Sequence, residues 1–199
     1  MKLGLTGGIA SGKSTVSAML VKLGAKLVDA DQVAREVVLP GEPALGRIVA
    51  RFGQAVLNED GTLNRSKLGS LVFTPDKQKL KDLESILHPA IRARMQERMD
   101  AYLQEDPNLL VIADIPLLYE TGQAELYDAV MVVYVPAEMQ LQRLMEREGL
   151  TEEQASLRIG LQMDIEEKKR LATYVIDNSG SLEATERQVR QFWQEHDFS

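Results

Sequence analysis

Cysteine is absent from this 199-residue chain, and histidine occurs only twice. Without a thiol there is no disulfide, no thiolate zinc site and no cysteine nucleophile. His88 and His196 lie too far apart in sequence to form a local metal motif. An excess of positive charge is missing too. The formal net charge of −7 argues against a nucleic-acid or membrane-surface role, because both surfaces reward surplus Lys and Arg. An anionic ligand must therefore meet a locally positive site. No apolar run approaches the roughly 18 residues of a membrane span, and the N-terminal apolar stretch breaks at Thr6-Gly7-Gly8, too early for a signal-peptide core. The expectation is a cytoplasmic protein that binds neither nucleic acid nor membrane, with a monomer as the default. A hydrophobic content of 44% suffices for one good core, so a single domain carrying an insert is expected.

Five short apolar segments read as strands: Lys2–Thr6, Lys26–Asp29, Leu109–Asp114, Ala129–Val135 and Tyr174–Asp177. Most are too continuously apolar to have one wet face, which suits a parallel sheet covered by helices on both sides. A helix from about residue 13 is expected to stop at Gly24, and another to stop at Gly149. Thr151-Glu-Glu-Gln154 has capping-box spacing, and Ser181 can cap a last helix. Roughly eighty residues separate the second and third strands, far more than a crossover helix requires. That insert reads as helical. Leu45, Ile48, Val49 and Phe52 share one face, Asn58 to Gly61 marks a turn, and Leu80, Leu83 and Leu87 form a second stripe. Pro89 is expected at the first turn of a separate helix bearing Ile91, Met95 and Met99.

The stretch Gly4-Leu-Thr-Gly-Gly-Ile-Ala-Ser-Gly-Lys-Ser-Thr15 contains Gly7-x-x-x-x-Gly12-Lys13-Ser14, placed between a strand and a helix. This is the pattern of a loop whose glycines let successive backbone N–H groups converge on a phosphate, with a helix N-terminus behind them. The main chain of Gly8, Ile9, Ala10, Ser11, Gly12, Lys13, Ser14 and Thr15 would then cradle a nucleotide's phosphates. Lys13 would bridge the β- and γ-phosphates and the Ser14 hydroxyl would ligate Mg2+.

A phosphate cradle does not name the reaction. A guanine-reading Asn-Lys-x-Asp is absent, since the chain has no Asn-Lys pair. A small-molecule kinase fits better, because inserted helices can hold an acceptor and exclude water. Such an enzyme needs carboxylates near the metal and the acceptor hydroxyl, and cations for the transferring phosphoryl group. Asp29, Asp31 and Asp114 stand at strand ends and are the candidates, although each could equally cap a helix or a turn. Arg143 and Arg147 share a helix face, with Arg158, Lys168, Lys169 and Arg170 beyond them. They form either a lid over phosphates or a solvated face paired with Glu146, Glu148, Glu166 and Glu167. The residues alone leave open a kinase for another small alcohol or nucleotide, and a nucleotide-binding regulatory protein without catalysis.

The phosphate loop, Asp29-Ala-Asp31 with Ala34-Arg35, Leu87-His-Pro89 with Ile91-Arg92, Asp114-Ile-Pro-Leu-Leu118 with Glu120, and Val175-Ile-Asp-Asn-Ser-Gly180 together resemble the dephospho-coenzyme A kinase family over nearly the whole chain. The resemblance implies an α/β, three-layer P-loop NTPase fold with a five-stranded parallel sheet, an inserted helical acceptor-binding domain and a helical lid. Residues 1–34 and 107–199 would form the nucleotide-binding core, 35–106 the acceptor-binding region and 138–170 the lid. It implies transfer of the ATP γ-phosphoryl, with Mg2+, to the ribose 3′-hydroxyl of dephospho-coenzyme A. Asp31 would act as base or orient that hydroxyl. Asp114 would sit by the magnesium, Arg143 with Arg147 would be lid cations, and Asn178 would lie in the adenine-side loop. Arg65, His88, Arg92 and Leu117 would face the acceptor. Two departures from the family pattern stand out: Tyr119 where phenylalanine is usual, and Asp164 where proline is common.

Overall fold

A computed structural model describes residues 1–196 and 198. The strands form where the apolar runs lie: β1 (Lys2–Gly7), β2 (Lys26–Asp29), β3 (Val111–Asp114), β4 (Ala129–Tyr134) and β5 (Tyr174–Asp177). They make one five-stranded sheet in the order β2-β3-β1-β4-β5. β1 runs parallel to both β3 and β4, and β4 runs parallel to β5. Every residue of β4 is buried, as a strand covered on both faces requires. The third strand starts later than expected. Leu110 lies outside the β1–β3 ladder, although its carbonyl accepts the Lys26 N–H at 2.9 Å.

Helix α1 (Lys13–Leu23) follows β1. Helices α2 (Ala30–Glu36), α3 (Pro43–Phe52), α4 (Arg65–Val72) and α5 (Gln78–Glu105) fill the long insert. Four more, α6 (Ala137–Glu148), α7 (Glu152–Ile159), α8 (Ile165–Leu171) and α9 (Leu182–Glu195), follow β4. The chain forms two compact units, one of Met1–Val28 with Met99–Ser199, the other of Asp29–Arg98.

In the first unit, Leu3, Leu5, Ile112, Met131 and Val133 of the sheet pack with Val16 and Leu20 of α1 and Val189 and Phe192 of α9. The strand order reverses at β1, whose neighbours are reached from opposite sides. Open α/β sheets bind ligands in the crevice at such a point, beyond the carboxyl ends of the strands. Register places Asp114 beside Leu5, and Gly7 beside Val133. The glycine-rich loop and Asp114 thus leave adjacent strands at the same edge.

The second unit has its own buried residues, among them Val33, Val37, Leu45, Ile48, Val56, Leu68, Leu83 and Met95. The turn at Asn58 closes with the Asn58 N–H on the Thr62 carbonyl at 2.8 Å. Separate helices meeting at Pro89 are not found; α5 runs through it. An interior proline removes one hydrogen bond and crowds the preceding turn, at a cost of roughly 3 kcal/mol. Burial of Leu83 on one side and Met95 on the other offsets that cost, at roughly 1.5–3 kcal/mol per side chain.

Helix ends follow local chemistry. The Thr151–Gln154 capping box forms, the Ser181 hydroxyl accepts from Ala184, and Gly149 takes the left-handed conformation. Asp164 caps α8, accepting from the N–H groups of Glu166 and Glu167 at 2.9 and 3.2 Å. A carboxylate suits that position as an acceptor of otherwise unpaired donors, so the local helix start is preserved without a proline.

Candidate active site

The loop between β1 and α1 turns through two left-handed residues, Ala10 at φ 62° and Gly12 at φ 87°. The Ser11 N–H closes it onto the Gly8 carbonyl at 3.1 Å. A side chain at Gly12 would be strained by that backbone and would overlap the Asn178 Nδ2. At Gly8 an added Cβ would lie 2.5 Å from the Gln140 Nε2. Beyond the bend, the N–H groups of Lys13 and Ser14 open α1 and have no partner within the helix. They bring its partial positive charge to the sheet edge.

Lys13 Nζ forms an ion pair with Asp114 Oδ1. Both side chains are mostly shielded, at 20% and 11% exposure, so the contact is stronger than a surface pair of the same geometry. Ser14, one residue on, is exposed. The edge therefore combines a shielded ammonium, a carboxylate and an open hydroxyl. Oxygen donors of this kind suit Mg2+, which keeps waters and is bound by one or two protein ligands plus substrate phosphates.

The loop is held from behind by β5 and α9. Asn178 Nδ2 donates to the Ser11 carbonyl at 2.8 Å, and Asn178 Oδ1 accepts the Thr185 hydroxyl at 2.8 Å. The Asn178 carbonyl accepts from Arg143 Nη2 at 3.1 Å, which brings that arginine to the loop's support. Arg147 and Arg158 both pair with Glu148 on an exposed surface. Lys168 departs from the expectation of a solvated or lid cation: it is completely buried. Leu117, just after Asp114, is 40% exposed, an open apolar side chain beside the edge.

The remaining expected residues belong to the second unit. Asp31 is exposed in the first turn of α2, and its N–H is held by Asp29 Oδ1 at 2.7 Å. Asp29 also accepts the Gln32 N–H at 3.1 Å, so this second carboxylate is spent as a helix cap. Arg65 is exposed at the start of α4, and His88 and Arg92 fall on one face of α5. Arg94 and Arg98 are paired with Glu42 and Glu36. Arg65 and Arg92, like Arg35 and Arg47, make no ion pair among the described residues.

Several supporting residues carry no local motif. Gln140 is buried against Gly8, and Gln162 Oε1 accepts the Ile9 N–H at 2.8 Å. Thr185 was readable in principle, as a hydroxyl at the i position of the apolar stripe completed by Val189 and Phe192.

A glycine-rich phosphate loop on the central strand of a parallel sheet, with a lysine and a carboxylate at its mouth, defines the class of P-loop kinases. The family model for dephospho-CoA kinase matches residues 1–184. A dephospho-CoA kinase of Shouchella clausii is 52% identical over 189 residues, covering 95% of each chain. Among solved structures, TT1252 from Thermus thermophilus is similar at 37% identity and TM-score 0.78, covering 98% of this chain and 97% of that one. Dephospho-CoA kinase from Campylobacter jejuni is similar at 34% identity and TM-score 0.75, with the same coverage. The chain belongs to the dephospho-CoA kinase family.

Proposed function

We propose that the chain carries out its family's reaction, transferring the ATP γ-phosphoryl to the ribose 3′-hydroxyl of dephospho-coenzyme A, with a division of labour readable in its side chains. The observation that carries this reading is the Lys13–Asp114 pair at the edge where β1 and β3 end. It holds a phosphate-binding cation and an oxygen ligand in contact at one edge of the sheet.

Of the amides from residue 8 to residue 15, those of Ile9, Ser11 and Thr15 are taken by Gln162, Gly8 and Gly12. The phosphates therefore fall to the N–H groups of Gly8, Ala10, Gly12, Lys13 and Ser14, and Lys13 leaves Asp114 to bind the β- and γ-oxygens. Ser14 and Asp114 would hold Mg2+, which when bound neutralises charge on the phosphate oxygens. Arg143, anchored on the Asn178 carbonyl, adds a cation at the nucleotide side, with Arg147 on the same helix face. Asp31, exposed and free of any salt bridge among the described residues, orients or deprotonates the acceptor hydroxyl. Arg65, His88 and Arg92 face the acceptor, whose diphosphate suits two arginines that make no ion pair among the described residues; Leu117 offers it an apolar contact. In this reading residues 35–106 receive the acceptor, and the enzyme works as a cytoplasmic monomer. The lid expected over 138–170 closes only through its part before Gln162, because Gln162 and Lys168 are hydrogen-bonded to Ile9 and Gly7.

The test is an ADP-release assay scanned over acceptors, with Asp31→Asn beside the unsubstituted chain. Turnover should require dephospho-coenzyme A, and Asp31→Asn should lower kcat by about 100-fold or more, within the range for loss of a general base, while ATP affinity changes little. An unchanged kcat in that variant removes Asp31 from the chemistry.

A further inference from the structure

One buried charge has no part in the roles given above. Lys168, in α8, heads the largest side chains that are fully buried. Its ammonium donates to the Pro116 carbonyl at 3.1 Å and to the Gly7 carbonyl at 3.3 Å, and it pairs with Glu120 Oε1 at 2.8 Å. Three donors thus meet three acceptors, the full capacity of a lysine. Glu120 Oε1 also accepts the Met163 N–H at 2.9 Å, while Glu120 Oε2 is buried with no hydrogen-bond partner among the described residues. Just before α8, Gln162 Oε1 takes the Ile9 N–H.

Burying an ammonium costs several kcal/mol, and an apolar side chain of similar volume would often fill the space at less cost. The arrangement is therefore poorly explained by stability. Its acceptors point to another role. Gly7 closes β1 and opens the loop that carries Lys13, while Pro116 lies two residues beyond Asp114. A single charged group thus ties together the two chain segments whose side chains form the ion pair at the mouth of the site.

We propose that Lys168 is a positioning residue for phosphoryl transfer: held by Glu120, its buried ammonium fixes the Gly7 and Pro116 carbonyls at one spacing and so sets Lys13 against Asp114. This rests on the roles proposed for Lys13 and Asp114. It also makes the stretch 162–168 a fixed brace of the phosphate loop, through Gln162 at Ile9 and Lys168 at Gly7. Phosphoryl transfer is sensitive to such a brace, since a misplacement of ~1 Å by a remote change can cost about 100-fold in rate.

Three variants separate positioning from stability. Lys168→Met leaves Glu120 buried without its cation and should unfold at a lower temperature. The double variant Lys168→Met with Glu120→Gln removes both charges and should recover most of that loss, yet its kcat with both substrates saturating should stay about 100-fold low. Amide exchange of residues 8–13 should be about tenfold faster in the double variant, as the loss of a hydrogen bond from a charged group implies. Glu120→Gln alone keeps the ammonium on both carbonyls and should retain slow exchange in the loop despite lower stability. Recovery of stability and kcat together in the double variant would overturn the proposal. So would loop exchange at the unsubstituted rate, or Glu120→Gln matching Lys168→Met in loop exchange. If the unsubstituted chain fails to phosphorylate dephospho-coenzyme A, the functional reading falls, and the exchange measurements still decide the role of Lys168.

Discussion

Asn178 and Ser11 are joined across 167 residues of sequence by a 2.8 Å hydrogen bond from the Asn178 carboxamide to the Ser11 carbonyl. Both residues are buried, and the other end of the carboxamide is fixed by Thr185. Replacing Asn178 by alanine leaves that carbonyl without its donor, which costs about 1–3 kcal/mol for a buried group. The loop should loosen accordingly. Asn178→Ala is expected to raise KM for ATP by roughly tenfold with a much smaller effect on KM for the acceptor, measured in steady-state assays with the other substrate saturating.

Asp114→Asn separates the carboxylate's two proposed partners. Without its negative charge, Lys13 is no longer held in an ion pair and is free to meet phosphate. Metal-free ATP should therefore bind at least as well as before, while the Mg2+ concentration giving half-maximal turnover rises. Calorimetric titration of ATP in chelator and a magnesium titration of activity check the two halves. A fall in metal-free ATP affinity with an unshifted magnesium curve contradicts both roles.

Tyr119 buries its hydroxyl without a hydrogen-bond partner among the described residues, and burial pushes its ionisation upward. Phenylalanine keeps the ring and removes the unsatisfied group. Tyr119→Phe should stabilise the fold by about 1 kcal/mol, seen as a higher midpoint in urea with an unchanged slope, and kcat should stay the same.

Glu36 supplies a pH-dependent increment to the second unit. Hydrogen bonds from Arg98, against opposing desolvation and with help from Gln32, hold its carboxyl below the usual value of 4.5. The folded state thus binds this proton less readily than the unfolded one. The stabilisation is fully present above pH 4.5 and fades as pH falls through the depressed folded value. Glu36→Gln should be less stable than the parent at pH 7, and the two should converge in acid when urea midpoints are compared across pH.

The sheet and the loop were legible because their signals are local. The wholly buried run Ala129–Tyr134 and the glycine pattern before Lys13 each lie in one short segment, as do the caps at Thr151, Ser181 and Gly149. Pro89 misled because an interior proline reads as a boundary, while the burial that carries α5 past it depends on residues elsewhere in the second unit. Thr185 apart, the contacts that support the loop were not legible. Asn178 with Ser11, Gln162 with Ile9, and Lys168 with Gly7 meet only after the sheet has brought distant segments to one edge. Lys168 even lies in a charge-rich stretch, Glu166 to Arg170, that reads as solvent-facing until its burial is known.

The central claim is that this loop and its lysine pass a phosphoryl group to one ribose hydroxyl. Mass and fragmentation analysis of the product after incubation with Mg·ATP and dephospho-coenzyme A tests it most directly. The account predicts a gain of one phosphoryl group on the 3′-oxygen, lost when Lys13 is replaced by alanine. Unmodified dephospho-coenzyme A, or a phosphoryl group on any other oxygen, would contradict it.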